Sequence, residues 1–297
     1  MSEKSKIFLA FSAVYVIWGS TYLAIRYAIE TIPPFFMMGT RSVIAGSILY
    51  FWSRTRGAVT LQRKYLPSLF IIGVLFFLIG HGLLAWAQQR VPSGLAAVLV
   101  ASEPLWIFLV ESFFIRDSKI KAKGITGLVL GFAGIVYLIS ATKGIDTSSA
   151  DTISSIAIVL GAFSWSIGAV YSRVAKLPTS SMLSAGMELI IGGMFLILAG
   201  FLLGEAETFH IAAISLRSLL GIAYLIIFGS VITFSAYTWL LSRTSATRIS
   251  THTYVNPVIA VFLGWVIVDE AITVELLIAT VIIVVSVYLV LNDQRKT

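Results

Sequence analysis

The stretch WAQQRVPSGLAAVLVASEPLW, residues Trp86–Trp106, sets a carboxylate and a proline, Glu103 and Pro104, deep inside an apolar run. A partial copy starts 153 residues later at Trp239, reading WLLSRTSATRISTHTYVNPVI. Trp86, Arg90 and Pro104 fall on Trp239, Arg243 and Pro257, and Glu103 falls on Asn256. A charged side chain at mid-membrane depth costs roughly 2.5–3.5 kcal/mol on insertion scales. A mid-helix proline also frees the carbonyl four residues earlier, here Val100 or Thr253. Two such sites at matching places in a duplicated membrane chain point to a binding site between the halves.

Composition agrees with a membrane setting. The chain has 297 residues, 58% hydrophobic and 12% charged, with a mean hydropathy of +0.95; soluble domains are about 25% charged. The apolar runs are continuous, which is a helical pattern and not the alternation of a β-barrel. There is no cysteine, so disulfides, thiol catalysis and thiolate metal sites are absent together. The net charge of +7 sits at loop positions that membrane topology explains, so no nucleic-acid partner is expected. Residues 7–25 are long enough to span and lack a clear cleavage site, so they are expected to be retained as the first transmembrane helix.

Ten segments are long enough to cross a ~30 Å hydrocarbon core: 7–25, 34–52, 67–88, 93–114, 122–140, 153–172, 181–203, 216–241, 249–268 and 272–291. With the N-terminus cytoplasmic, sixteen Lys and Arg residues fall in inner loops and only Arg26, Arg90 and Lys143 in outer ones. The positive-inside rule therefore puts both termini in the cytoplasm. The first and sixth segments also correspond, at 147 residues, with Trp18, Arg26, Ala28, Gly39, Ile44, Gly46 and Leu49 matched by Trp165, Arg173, Ala175, Gly186, Ile191, Gly193 and Leu196. The expected architecture is all-α and polytopic, with ten transmembrane helices arranged as two five-helix repeats, residues 1–145 and 146–297. Because five is odd, the second repeat is inverted.

The chain resembles the EamA branch of the drug/metabolite transporter superfamily. The resemblance rests on Trp18-Gly19-Ser20-Thr21, Arg41, the run Val91–Ala97, Pro104, and Asp269-Glu270 before the last segment. Asp117 departs from the glutamate usual at the equivalent place in the first half. The resemblance implies export or exchange of small organic solutes across the cytoplasmic membrane.

Each candidate residue has a functional and a plain packing reading. Glu103 suits a proton carrier or a counter-charge for a cationic group; the plain reading is a neutral structural acid or an ion pair with Arg41. Asn256, its repeat partner, suits a hydrogen bond to substrate or an interhelical one. Arg41 and Glu188 share one repeat position and read as charged gates or as members of structural salt bridges. His81, between two glycines, suits proton coupling or a satisfied hydrogen bond. Trp18 and Trp165 lie deep enough to line a cavity for flat or cationic solutes, with Tyr237 and Tyr254 weaker versions of the same idea. Trp86, Trp239 and Tyr22 fall near expected interfaces and are set aside. Gly124, Gly127, Gly131 and Gly134 form a close-packing face, within the chain or in a homodimer.

No HExxH, P-loop or GxSxG context is present, and His81, His210 and His252 lie in separate segments, so neither enzyme nor metal site nor cofactor is expected. The expected function is secondary transport of a small-molecule substrate, of the amino-acid or amphipathic cationic class, by alternating access. Two rivals are an intramembrane enzyme using Glu103 and His81, and a receptor or assembly subunit that does not transport.

Overall fold

The computed structural model describes residues 3–57, 62–114, 122–141 and 150–294. Asp117, Lys143 and the basic positions 116–121 lie outside the described residues. Among the described residues all regular structure is helical. The long segments are α1 (Glu3–Ala28), α2 (Pro34–Thr55), α3 (Arg63–Ala87), α4 (Ser93–Phe113), α5 (Ala122–Ala141), α6 (Ala150–Val174), α7 (Ser181–Leu202), α8 (Leu216–Leu241), α9 (Ser250–Val268) and α10 (Val274–Gln294). Eight of these, all but α2 and α10, are long and apolar enough to cross a membrane. The molecule is a polytopic membrane protein, and large apolar side chains such as Phe51, Val129 and Tyr288 point outward from the bundle.

Local chemistry sets the helix ends. Pro34 opens α2, where its missing N–H costs nothing. The next two amides, Phe35 N and Phe36 N, donate to the Glu205 carboxylate at 3.0 and 2.8 Å. Ser180 and Ser215 cap α7 and α8 by accepting from Leu183 N and Ser218 N. Thr273 does the same for Leu276 N at the start of α10.

Small residues decide which helices touch. α2 packs along α7, where a Cβ added at Gly46 would stand 2.7 Å from Gly186 O and one at Gly39 would stand 3.0 Å from Gly193 O. Backbone contact at that range leaves room for hydrogen alone. The glycine face of α5 packs the same way on α10, with Gly127 against Ser286 O and Gly134 against Ile282. The expected close-packing face is therefore used inside the chain.

Two features depart from the expected helices, which are continuous apart from proline kinks in the fourth and ninth. Residues Val74–His81 of α3 and Leu225–Phe234 of α8 are π-helical, which widens both helices in mid-run. Pro104 and Pro257 are not mid-helix residues. α4 breaks at Ala101–Ser102 and restarts at Glu103, and α9 runs as a 3₁₀ turn over Ser250–Tyr254 before restarting at Asn256. Each proline is the second residue of the restarted helix, so it ends the preceding segment without leaving a helix interior short of an N–H.

Candidate functional site

The two helix breaks, the π segment of α3 and the middle of α1 converge on one cavity. It holds about 620 Å³ of space between atoms, its open mouth included. Its lining includes Trp18 and Tyr22 of α1, Arg41 of α2, His81 of α3, Glu103 of α4, Trp165 of α6, and His252 and Asn256 of α9. Irregular backbone at membrane depth is tolerated where it lines such a space, because water or ligand satisfies the released groups.

Glu103 is 3% exposed. Its Oε2 stands 3.9 Å from His252 Nε2, and its Oε1 has no hydrogen-bond partner among the described residues. The other ring nitrogen of His252, Nδ1, is 3.0 Å from Ile249 O, so the neutral ring carries its proton there and turns the Nε2 lone pair toward Glu103. Asn256 works on the backbone. With its amide nitrogen facing the carbonyls, it donates to His252 O at 3.1 Å and Tyr15 O at 2.7 Å, tying the break in α9 to α1.

Arg41 lines the same cavity but does not pair with Glu103. Its Nε donates to Ser230 Oγ at 2.9 Å and its Nη1 to Met38 Sδ at 3.4 Å, and no carboxylate of the described residues lies within 4.0 Å. The expected structural ion pairs of Arg41 and Glu188 are thus both absent among the described residues. The cavity holds a guanidinium and a carboxyl group on separate walls. His81 faces it too, its ring 5.0 Å from Trp165 and its Nδ1 without a partner among the described residues.

Aromatic rings close one side of this space. Trp18 and Trp165 meet edge to face at 5.8 Å, Trp165 stacks on Phe76 at 4.2 Å, and Tyr237 lies 4.9 Å from Trp18. Trp165 Nε1 donates to Tyr237 Oη at 3.0 Å, and Trp18 Nε1 donates to Gly229 O at 3.2 Å in the π segment of α8. A second, more polar cavity is lined by Arg173, Ser184, Glu188, Thr238 and Arg243. Glu188 thus faces a different space from Glu103. Tyr254 does not line the central cavity, and Pro104 and Pro257 act through the helix restarts.

Tyr22, set aside in sequence as interfacial, is buried and lines the cavity. Trp86 and Trp239 behave as expected and stack on Arg90 and Arg243 at the surface. His252 was overlooked; the available signal was its place one helical turn before Asn256 in the duplicated stretch. Glu270 has a clear role. It accepts from Ser93 N, Ser93 Oγ and Gly94 N at 2.8, 2.9 and 3.0 Å, capping α4, and it pairs with Arg26 of α1.

The fold and the site are those of a polytopic helical membrane protein with a buried cavity between its helix breaks. The chain matches the EamA-like transporter family over residues 4–140 and 152–292, and it belongs to that family. It is 36% identical over 260 residues to the uncharacterized inner membrane transporter YedA of Escherichia coli K12, covering 87% of this chain and 81% of YedA. It is 25% identical to the uncharacterized transporter YoaV of Bacillus subtilis, over 96% of each chain. The WAT1-related chloroplastic protein At3g02690 of Arabidopsis thaliana is 27% identical, over 93% of this chain and 67% of its own. A solved crystal structure superimposes with a TM-score of 0.71 at 23% identity over 99% of both chains, so the fold is shared. YedA and YoaV are named as transporters, and this chain, a member of the EamA-like transporter family, is a transporter and not an enzyme.

Proposed function

We propose that the chain exports a small organic solute across the cytoplasmic membrane by alternating access, with ten membrane-spanning helices forming two inverted five-helix repeats. Both termini are cytoplasmic in this reading. The family match supports it by occurring twice in succession, over residues 4–140 and 152–292. Helix packing is paired in the way an inverted repeat requires: α1 meets α8 as α6 meets α3, and α1 meets α9 as α6 meets α4. α2 meets α7, and α5 meets α10, each its own counterpart. The π segments fall in α3 and α8, the breaks in α4 and α9, and the Trp–Arg stacks at Trp86–Arg90 and Trp239–Arg243.

The observation that carries the substrate class is the separation of Arg41 from Glu103 across one aromatic-lined cavity. A guanidinium and a carboxyl group that do not neutralise each other suit an amino-acid-like or amphipathic cationic solute. Purified protein in vesicles, given labelled amino acids and organic cations, should move one of these down its gradient. Resistance of overexpressing cells to a toxic analogue would set the direction as export. Saturable binding without flux would support a receptor instead. Reporter fusions after Arg56 and Lys176 should read cytoplasmic, and fusions within 205–210 external.

A further inference from the structure

The second cavity is lined by groups from α6, α7 and α8 and the segments that follow α6 and α8. Its wall carries hydroxyls at Ser184, Thr238, Ser242 and Thr244 and a carboxyl group at Glu188. Glu188 is 1% exposed, and its Oε1 has no hydrogen-bond partner among the described residues. Burying a carboxyl group without a partner is costly, and membrane proteins keep such groups where a ligand or a proton answers them. The two guanidinium groups on the rim are already engaged, Arg173 with Glu111 at 3.4 Å and Arg243 with Glu3. Glu188 is the charged group of this wall without a partner among the described residues, and the hydroxyls beside it can complete the hydrogen bonding of an ammonium head.

We infer that this cavity is a second binding site, a vestibule for primary ammonium compounds in which Glu188 receives the charged head and the Ser and Thr hydroxyls its remaining N–H groups. An ammonium has three donors, and one carboxylate oxygen with neighbouring hydroxyl oxygens satisfies them without a second charge. The vestibule wall at Thr238 directly follows Tyr237, which accepts from Trp165 Nε1 at 3.0 Å, and Trp165 lines the central cavity. Its place as the entry station of the route rests on the transport reading above; binding at Glu188 does not.

The chain has no cysteine, so Thr244→Cys gives a single thiol on the vestibule wall. The rate of its alkylation by a maleimide is followed in the purified full chain, with n-butylammonium chloride as probe and 1-butanol as the neutral control. A competing ligand divides the labelling rate by 1 + [L]/Kd, so at about four times its Kd the amine should slow labelling about fivefold. The alcohol should leave the rate unchanged, and Glu188→Gln should abolish protection by the amine. Equal protection by the alcohol, or full protection by the amine in Glu188→Gln, would overturn the site. If Glu188→Gln does not fold, the amine–alcohol comparison in the Thr244→Cys chain decides alone, with no difference between the two counting against the site. Vesicle flux is measured in parallel. Protection without flux of n-butylammonium keeps the vestibule and removes its place as an entry station, whereas flux without protection overturns the vestibule and leaves the transport reading.

Discussion

Replacing Glu103 by glutamine separates the roles this residue can play. Ile249 O holds the proton of neutral His252 on Nδ1, so Nε2 faces Glu103 Oε2 across 3.9 Å. A second proton on the imidazole would set two opposite charges at that distance, attracting by about 4 kcal/mol at an effective dielectric constant near 20. That attraction offsets part of the desolvation of the two groups, and it disappears with the carboxylate. Glutamine keeps the shape and offers an amide N–H to the same lone pair, so melting temperature should shift by no more than about 3 °C, equivalent to about 1 kcal/mol. With Glu103 as proton carrier, vesicle flux driven by a pH gradient should fall to background in Glu103→Gln while substrate-for-substrate exchange survives. A counter-charge role would instead remove exchange as well, at every pH. Because Arg41 is held by Ser230 and Met38, adding Arg41→Gln should not restore what Glu103→Gln loses. Unchanged pH-driven flux, exchange and melting in Glu103→Gln would refute the reasoning and remove the residue from the mechanism.

Three further outcomes are expected. Pro104→Ala and Pro257→Ala should lower flux without lowering melting temperature, because the breaks beside Glu103 and Asn256 can then close into continuous helix; full flux in the double variant would make the breaks incidental. Glu270→Ala should lower stability by about 1–3 kcal/mol by uncapping Ser93 N and Gly94 N; Arg26→Ala should cost less than about 1 kcal/mol because Arg26 is 38% exposed, and thermal melts in detergent rank the two. Trp165→Ala should cost about 3–5 kcal/mol and abolish flux, through the loss of stacking on Phe76 and of the bond to Tyr237; Tyr237→Phe should cost only about 1 kcal/mol and isolates the bond.

Much of this protein was legible in the order of its residues, because a bilayer imposes one-dimensional rules. Continuous apolar runs had to be helices, and a buried carboxylate beside a proline, answered by an Asn-Pro pair 153 residues later, singled out two matching places in the chain. Trp18, Trp165, Glu103, Asn256, Arg41 and His81 could be picked from depth and repeat position alone, and all six line one cavity. What stayed hidden depended on how helices turn and approach in three dimensions. The prolines restart helices instead of kinking them, and the π segments of α3 and α8 leave no pattern in a run apolar on every face. An ion pair between Arg41 and Glu103 was one reading of the sequence; tertiary packing gave Arg41 to Ser230 and set His252, from another segment, against Glu103. Depth in the membrane is a property of position along the chain, and so the sequence determined which groups are buried. Partnership depends on distances of a few ångströms between distant segments, and only the packed bundle decided those.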